Sequence, residues 1–166
     1  MQAKQLSDFI SVQEANFSQA EEYLALCAGN RQDGAIVSFV GLVRDINSQH
    51  RVQKLTLEHY PAMTEKSLKK IVTEARSLWP ISRVRLIHRV GALQASEQIV
   101  FVGVSSRHRG HAFQACEFIM DQLKTRAPFW KKEQDDKDEH WVQANQQDQQ
   151  KARQWLLKPE DLSMFM

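Results

Sequence analysis

Three groups of basic residues stand at the ends of predicted elements, where side chains can meet a ligand. Arg44 follows the apolar run 34–43 (GAIVSFVGLV). Arg107, His108 and Arg109 follow the apolar run 98–105 and open a predicted helix. A helix N-terminus already offers free N–H groups and a positive dipole end, so Arg and His placed there make a cradle for phosphate or carboxylate. A surface turn with ordinary basic residues is the alternative reading. The third group is KTRAPFWKK, 124–132, where Lys124, Arg126, Lys131 and Lys132 flank Pro128, Phe129 and Trp130. Two accounts fit it. Lys124 can simply favour a helix C-terminus while Lys131 and Lys132 begin a solvated loop. Or the segment forms a pocket with an aromatic wall, where crowded, partly buried lysines have lowered pKa values suited to proton transfer or nucleophilic chemistry.

The elements that would position these groups follow from periodicity. Residues 9–12 read as a first strand. Ser18 stands three before Glu21, a capping-box pattern, and Ala20, Tyr23, Leu24 and Cys27 share one helix face that Gly29 stops. The β-branched run 34–43 predicts a buried strand, and 44–51 a polar loop. Leu55, Leu57 and His59 alternate as in a half-buried strand. Pro61 and Thr64 open the clearest helix, with Leu68, Ile71, Val72, Ala75 and Trp79 as its stripe and Pro80 as its stop. Val84, Leu86, His88 and Val90 alternate in a strand that Gly91 ends, and 98–105 is another buried strand. A third helix spans about 108–124, with Ala112, Cys116, Ile119, Met120 and Leu123 facing the core. Pro128 forbids its regular continuation. The charge-dense run 131–140 predicts an exposed loop, Trp141 and Val142 a short strand, and 146–157 a terminal helix with a poor apolar face. The order β-α-β-β-α-β-β-α plus a C-terminal extension lacks strict βαβ alternation, so the fold class is α+β.

Composition bounds the function. The chain has 166 residues, 42% of them hydrophobic and 25% charged, as expected of one globular domain. A net charge of +2 is too small to draw nucleic acid or membrane by bulk charge. Cys27 and Cys116 are no disulfide framework and form no CxxC pair, which fits buried thiols in a reducing cytosol. No run is long enough for a signal peptide or a spanning helix, so a cytoplasmic location is expected. Dinucleotide, P-loop, zincin and nucleophile-elbow motifs are absent. His108 and His111 could share a helix face as metal ligands, but Arg107 and Arg109 would repel a cation. No metal site is therefore expected. A single-strand nucleic-acid binder would need a longer aromatic and basic track than Phe129, Trp130 and their lysines.

Geometry adds one expectation. A helix over 108–124 rises about 24 Å at 1.5 Å per residue, so one small ligand cannot touch both of its ends. If both cationic clusters serve one site, they come from two protomers of a homodimer.

The segments LTLEHYPAMTEKSL (55–68), IVFVGVSSRHRGHAF (99–113) and FIMDQLKTRAPFWKKE (118–133) resemble hallmark segments of the large, catalytic subunit of molybdopterin synthase, the MoaE family. GAIVSFVGLVRDIN (34–47) resembles that family's first core strand and loop. The matching segments lie in order over 34–155. The resemblance implies an α/β-hammerhead fold with an added small antiparallel sheet, forming a homodimer. It implies that each protomer binds a small ubiquitin-like sulfur carrier, giving a heterotetramer, and that the carrier's C-terminal Gly-Gly thiocarboxylate enters the large subunit's pocket. Two sulfurs then pass in turn to cyclic pyranopterin monophosphate, forming the molybdopterin dithiolene, and the cyclic phosphate opens to a terminal one. No metal or organic cofactor is implied for this step.

Residue roles carry over position by position. Lys124 and Lys131 match the family's essential lysines. Lys124 is assigned to the carrier's reacting terminus, as electrostatic stabiliser and proton donor or acceptor. Lys131, with Lys132 and Glu133, is assigned to orienting the pterin and assisting later proton transfers. Arg44, His108 and Arg109 match substrate-anchoring positions, and the backbone at Leu42 and Val43 flanks the same site. Arg126, Pro128 and Phe129 are expected to line the slot for the carrier tail, which glycine lets approach closely. The rival from another class is a non-catalytic module that only docks a ubiquitin-like partner; retention of both lysines favours the enzyme. The chain departs from the family in the acidic loop 134–139 and in the tail 156–166. The tail either stays disordered beyond the single domain 1–155 or folds back into the carrier's slot.

Overall fold

The computed structural model describes residues 8–47, 50–142 and 146–156. The main sheet contains β1 (Phe9–Gln13), β2 (Ala35–Leu42), β6 (Ile81–Arg89) and β8 (Gln98–Ser106), in the order β1-β6-β8-β2. β1 runs parallel to β6, and the other pairs are antiparallel. A second, fully antiparallel sheet has the order β10-β9-β5-β7, from β5 (Lys54–His59), β7 (Gly91–Gln94), β9 (Phe129–Gln134) and β10 (Glu139–Val142). A short hairpin pairs β3 (Ile46–Asn47) with β4 (His50–Arg51). Among the described residues there are four helices: α1 (Gln19–Cys27), α2 (Pro61–Leu78), α3 (Arg109–Arg126) and α4 (Gln146–Gln154). The α+β class expected from the element order is the one observed.

The apolar stripes explain the layering. Leu68, Ile71, Val72 and Ala75 of α2 are buried with Trp79 against Val84, Leu86, Val100, Val102 and Val104 of the main sheet. α3 adds Ala115, Cys116, Phe118, Ile119 and Leu123 to the same core. α1 belongs to a separate cluster in which its Leu26 packs with Phe17, Ile87 and Phe101. The α1 start is capped as its sequence suggests, with the Glu21 amide donating to Ser18 Oγ at 3.3 Å. Gly29 ends it with φ +63°, a conformation that costs glycine little. Val43, Leu55, Leu57, Val90 and Leu93 form the core of the second sheet.

Several sequence expectations need correction. The run 34–43 is a strand but not a buried one: Phe39 is 42% and Leu42 56% exposed, because β2 lies at the sheet edge. Apolar composition alone does not say which faces are covered. The polar segment 44–51 holds the β3–β4 hairpin. β6 does end just before Gly91, but Gly91 also opens β7, pairing with Leu57. α3 runs on to Arg126, two residues beyond the expected end. The largest miss is 131–140. It forms most of β9 and the start of β10, joined by a tight turn in which Asp135 Oδ1 accepts from the amides of Lys137 and Asp138. Its charge density hid a period-2 pattern in which one face is covered and the other solvated. Cys116 is buried as expected, while Cys27 is only half-buried. The terminal helix ends at Gln154, and nearly all of the tail beyond it lies outside the described residues. No helix among the described residues is long and apolar enough to cross a membrane.

Candidate active site

Alternation along β9 sorts the third cationic group. Phe129, Lys131 and Glu133 pair with His59, Leu57 and Leu55 of β5. Residues paired across an antiparallel ladder point to the same side, so these three share the inner face with Leu55 and Leu57 of the core. Lys131 is therefore half-buried. Burial pushes its pKa below the usual lysine range, and the charge of Lys124 adds to the push. Asp148 and Glu133 oppose it, and Arg44 reinforces it. Cations from two other parts of the chain thus act on Lys131 of β9: Lys124 near the end of α3 and Arg44 after β2.

The wall behind Lys131 is aromatic. The His88 imidazole stacks on Phe129, with centroids 3.9 Å apart and planes at 18°. His59 lies 6.3 Å from the same phenyl ring. His88 Nδ1 sits 2.8 Å from the Arg89 carbonyl oxygen, which can only accept, so the proton is on Nδ1. Burial lowers the His88 pKa to about 4, against the Arg89 hydrogen bond and with help from Lys131, Lys124 and His59. The ring is neutral at pH 7. His59 Nδ1 is buried with no hydrogen-bond partner among the described residues.

The other expected site residues are placed as follows. Lys132 points to the opposite face of β9 from Lys131 and pairs with Glu139 at 2.6 Å, its ammonium 5.7 Å from the Trp141 ring centroid. Arg126 turns to α2, where its guanidinium donates to both carboxylate oxygens of Glu74 at 2.6 and 2.8 Å. Pro128 is half-buried between α3 and β9, beside Phe129. Leu42 is exposed and Val43 buried. Both Val43 backbone groups are used within the chain, the amide by Glu97 and the carbonyl by Ser96. His108 and Arg109 are exposed at the start of α3. About 22 Å of helix separates Arg109 from Lys124. One protomer therefore gathers Arg44, Lys124, Phe129, Lys131 and Glu133, and keeps Lys132, Arg126, His108 and Arg109 elsewhere. Among the described residues no group of three His, Cys, Asp or Glu side chains is placed to hold a metal ion.

Lys124, but not Lys131, borders an open cavity of about 410 Å³ lined by β2, α3 and α4, with Asp148 and Lys151 among its other polar groups. That volume suits a small anionic ligand or an extended peptide end.

The family described as MoaE protein matches residues 12–126, well over half of the chain. This chain belongs to the MoaE family. The molybdopterin synthase catalytic subunit of Vibrio cholerae is 56% identical over 146 residues, which is 88% of this chain and 97% of that protein. Among solved structures, the molybdopterin biosynthesis MoaE protein from Burkholderia ambifaria superposes with TM-score 0.78 at 46% identity. That alignment covers 92% of this chain and all of the other. Molybdopterin synthase from Staphylococcus aureus superposes with TM-score 0.71 at 32% identity, covering 85% and 98%.

Reading this MoaE chain from its sequence missed His88, His59 and Asp148 as site residues. The first two carried a signal: each falls in register with apolar residues of an alternating strand, which places a titratable ring on a covered face. Asp148 carried none, because α4 shows no strong apolar stripe.

Proposed function

We propose that this chain is the catalytic subunit of molybdopterin synthase and acts as a sulfurtransferase. In this reading it accepts sulfur from the C-terminal thiocarboxylate of a small ubiquitin-like carrier and delivers it to cyclic pyranopterin monophosphate. The observation that carries the reading is a half-buried Lys131 that feels the exposed cations Lys124 and Arg44, within a chain of the MoaE family. The carrier brings a thiocarboxylate and the substrate a phosphate, so the site must hold two anions, and clustered cations with a nearby cavity suit both.

Lys124 meets the carrier's reacting terminus, balancing negative charge as sulfur leaves and exchanging a proton there. Lys131 orients the pterin. Its lowered pKa brings an ammonium closer to the range where it can give and take protons near neutral pH. Phe129, held flat against His88, forms a rigid apolar wall along which a Gly-Gly end can lie. His108 and Arg109, too far along α3 to reach the same ligand, serve the site of a second protomer in a homodimer. Lys132 faces away from Lys131, so any part it has in substrate binding also belongs to that larger assembly.

The test is reconstitution. The protein is mixed with thiocarboxylated carrier and cyclic pyranopterin monophosphate, and dithiolene product is measured. Product with wild type and its loss in Lys124→Ala is the expected result. Carrier binding without product would leave only a docking module. For the shared site, His108→Ala and Lys124→Ala chains are mixed. Mixed dimers should regain activity, and no regain would remove the second protomer from the site.

A further inference from the structure

Arg44 carries an exposed side chain on a backbone that is held from both sides. Val43, just before it, is buried in the cluster of Leu55, Leu57, Val90 and Leu93, against which Phe129 packs. Leu57 in turn pairs with Lys131 across the β5–β9 ladder. Val43 thus ties Arg44 to the strands that carry the candidate site. The Val43 amide donates to the Glu97 carbonyl at 2.9 Å, and its carbonyl accepts from the Ser96 amide at 2.8 Å. On the far side of Arg44, the Asp45 carbonyl accepts from the Val52 amide at 2.6 Å.

Two irregularities bring the chain to this grip. β2 and β8 stay in register to Gly41 and Val100, and then Leu42 pairs with Gln98, which leaves Ile99 as an extra residue. Such a bulge raises the local twist and re-aims the side chains beyond it. The second irregularity is Ser96. Its φ of +74° is the one positive value on a non-glycine residue among the described residues. It takes the third position of the turn 94–97, which the Glu97 amide closes on the Gln94 carbonyl at 3.2 Å. Positive φ at that position ordinarily calls for glycine. A strained residue persists only where its surroundings hold it. Here the Glu97 carboxylate reaches back and accepts from the Gln94 amide at 2.5 Å. The Arg89 guanidinium donates to the other carboxylate oxygen at 3.5 Å. Arg89 is itself buried and pinned to the Glu14 and Gln98 carbonyls. The two groups this turn presents, the Ser96 amide and the Glu97 carbonyl, are the ones that grip Val43.

We propose that Glu97 is a positioning residue for anion binding by Arg44: its carboxylate locks the 94–97 turn, and the turn grips Val43 so that Arg44 meets the substrate's phosphate from a fixed backbone. This rests on the reading of Arg44 as a substrate anchor. A backbone ordered beforehand spares the ligand the cost of ordering it.

The test uses the full chain as wild type, Glu97→Ala, Arg44→Ala and the double variant. Amide hydrogen exchange at Val43 and Ser96 should quicken about tenfold in Glu97→Ala. The KM for cyclic pyranopterin monophosphate should rise about tenfold, with kcat within about twofold of wild type. In the Arg44→Ala background the same substitution should raise KM no further, because Glu97 acts through Arg44. Two conservative variants separate the lock from the charge. Glu97→Gln keeps an oxygen within reach of the Gln94 amide and should behave as wild type. Glu97→Asp keeps the charge, falls one methylene short, and should behave as Glu97→Ala. Unchanged exchange in Glu97→Ala and Glu97→Asp would overturn the lock. Faster exchange with an unmoved KM, or an equal rise in KM with and without Arg44, would overturn the positioning role. If wild type forms no product, the proposed reaction fails by itself. The same cycle is then read on the binding of inorganic phosphate by ³¹P NMR titration, where equal affinities in wild type and Glu97→Ala would overturn the proposal.

Discussion

His88 and Phe129 lie face to face, ring centroids 3.9 Å apart, and join β6 of the main sheet to β9 of the second sheet directly behind Lys131. The contact couples acid stability to the site wall. The imidazole has a folded-state pKa of about 4 against an ordinary 6.5, because it is buried and faces cations. Between those values the unfolded chain binds the proton and the folded chain does not, so stability falls as pH drops through this window. The full contribution, on the order of 3 kcal/mol, is lost once the pH is below 4. Urea unfolding at pH 7 and pH 4.5 should show this loss in wild type and a smaller one in His88→Gln. Equal losses in the two proteins would take His88 out of the acid response.

Lys131 should be dispensable for folding and not for turnover. It is half-buried, held below its ordinary pKa by burial and by Lys124, so its charge is a burden on the folded state. Lys131→Met keeps the stem's volume and removes the repulsion. Its melting temperature is expected to equal or exceed that of wild type, while sulfur transfer falls about a hundredfold or more. A clear drop in melting temperature would instead make Lys131 a structural residue.

The difference between what could and could not be read from sequence is physical. α2 was legible because Leu68, Ile71, Val72 and Ala75 repeat at helical spacing and are all buried. The strand 98–105 was legible as a continuous apolar run, buried along nearly its whole length, and the strand at 55–59 by its period-2 alternation. β9 was not, because Lys131 and Glu133 occupy inward positions where the pattern looks for apolar residues. Charged side chains on a covered strand face break the local rule, and here they sit at the candidate site. KTRAPFWKK was visible as a cluster, but its sequence could not show that Arg126 turns to Glu74 and Lys132 to Glu139. Those pairings depend on α2 and β10, which meet the segment only after folding. Asp148 was hidden because α4 is placed by Trp155 and Asp121 rather than by its own pattern.

Gly103 should tolerate no side chain. A Cβ there would lie 2.5 Å from Leu26 Cδ1 and 2.8 Å from Phe101 Cε1, so α1 rests directly on the β8 backbone. Gly103→Ala forces these well-packed side chains apart, at a cost of about 1–3 kcal/mol. Thermal unfolding should show the loss, while the rate of sulfur transfer below the transition should not change, since the contact is with α1. A variant as stable as wild type would mean that Leu26 has room to shift.

Trp155→Phe separates packing from hydrogen bonding at the α4 anchor. The smaller ring can still sit between Trp79 and Phe118, but the donor to Asp121 at 2.7 Å is lost. Among the described residues the buried carboxylate then keeps only the longer bond from Gln154, at 3.3 Å. Leaving a buried acceptor short of a donor costs about 1–3 kcal/mol. Because α4 buries no side chain of its own fully, that cost falls on its docking rather than on the global core. Hydrogen exchange should therefore speed up at the amides of α4 and remain unchanged in α2 and β6. Exchange that quickens equally in all three would show that Trp155 supports the whole core, and α4 would lose its separate hold.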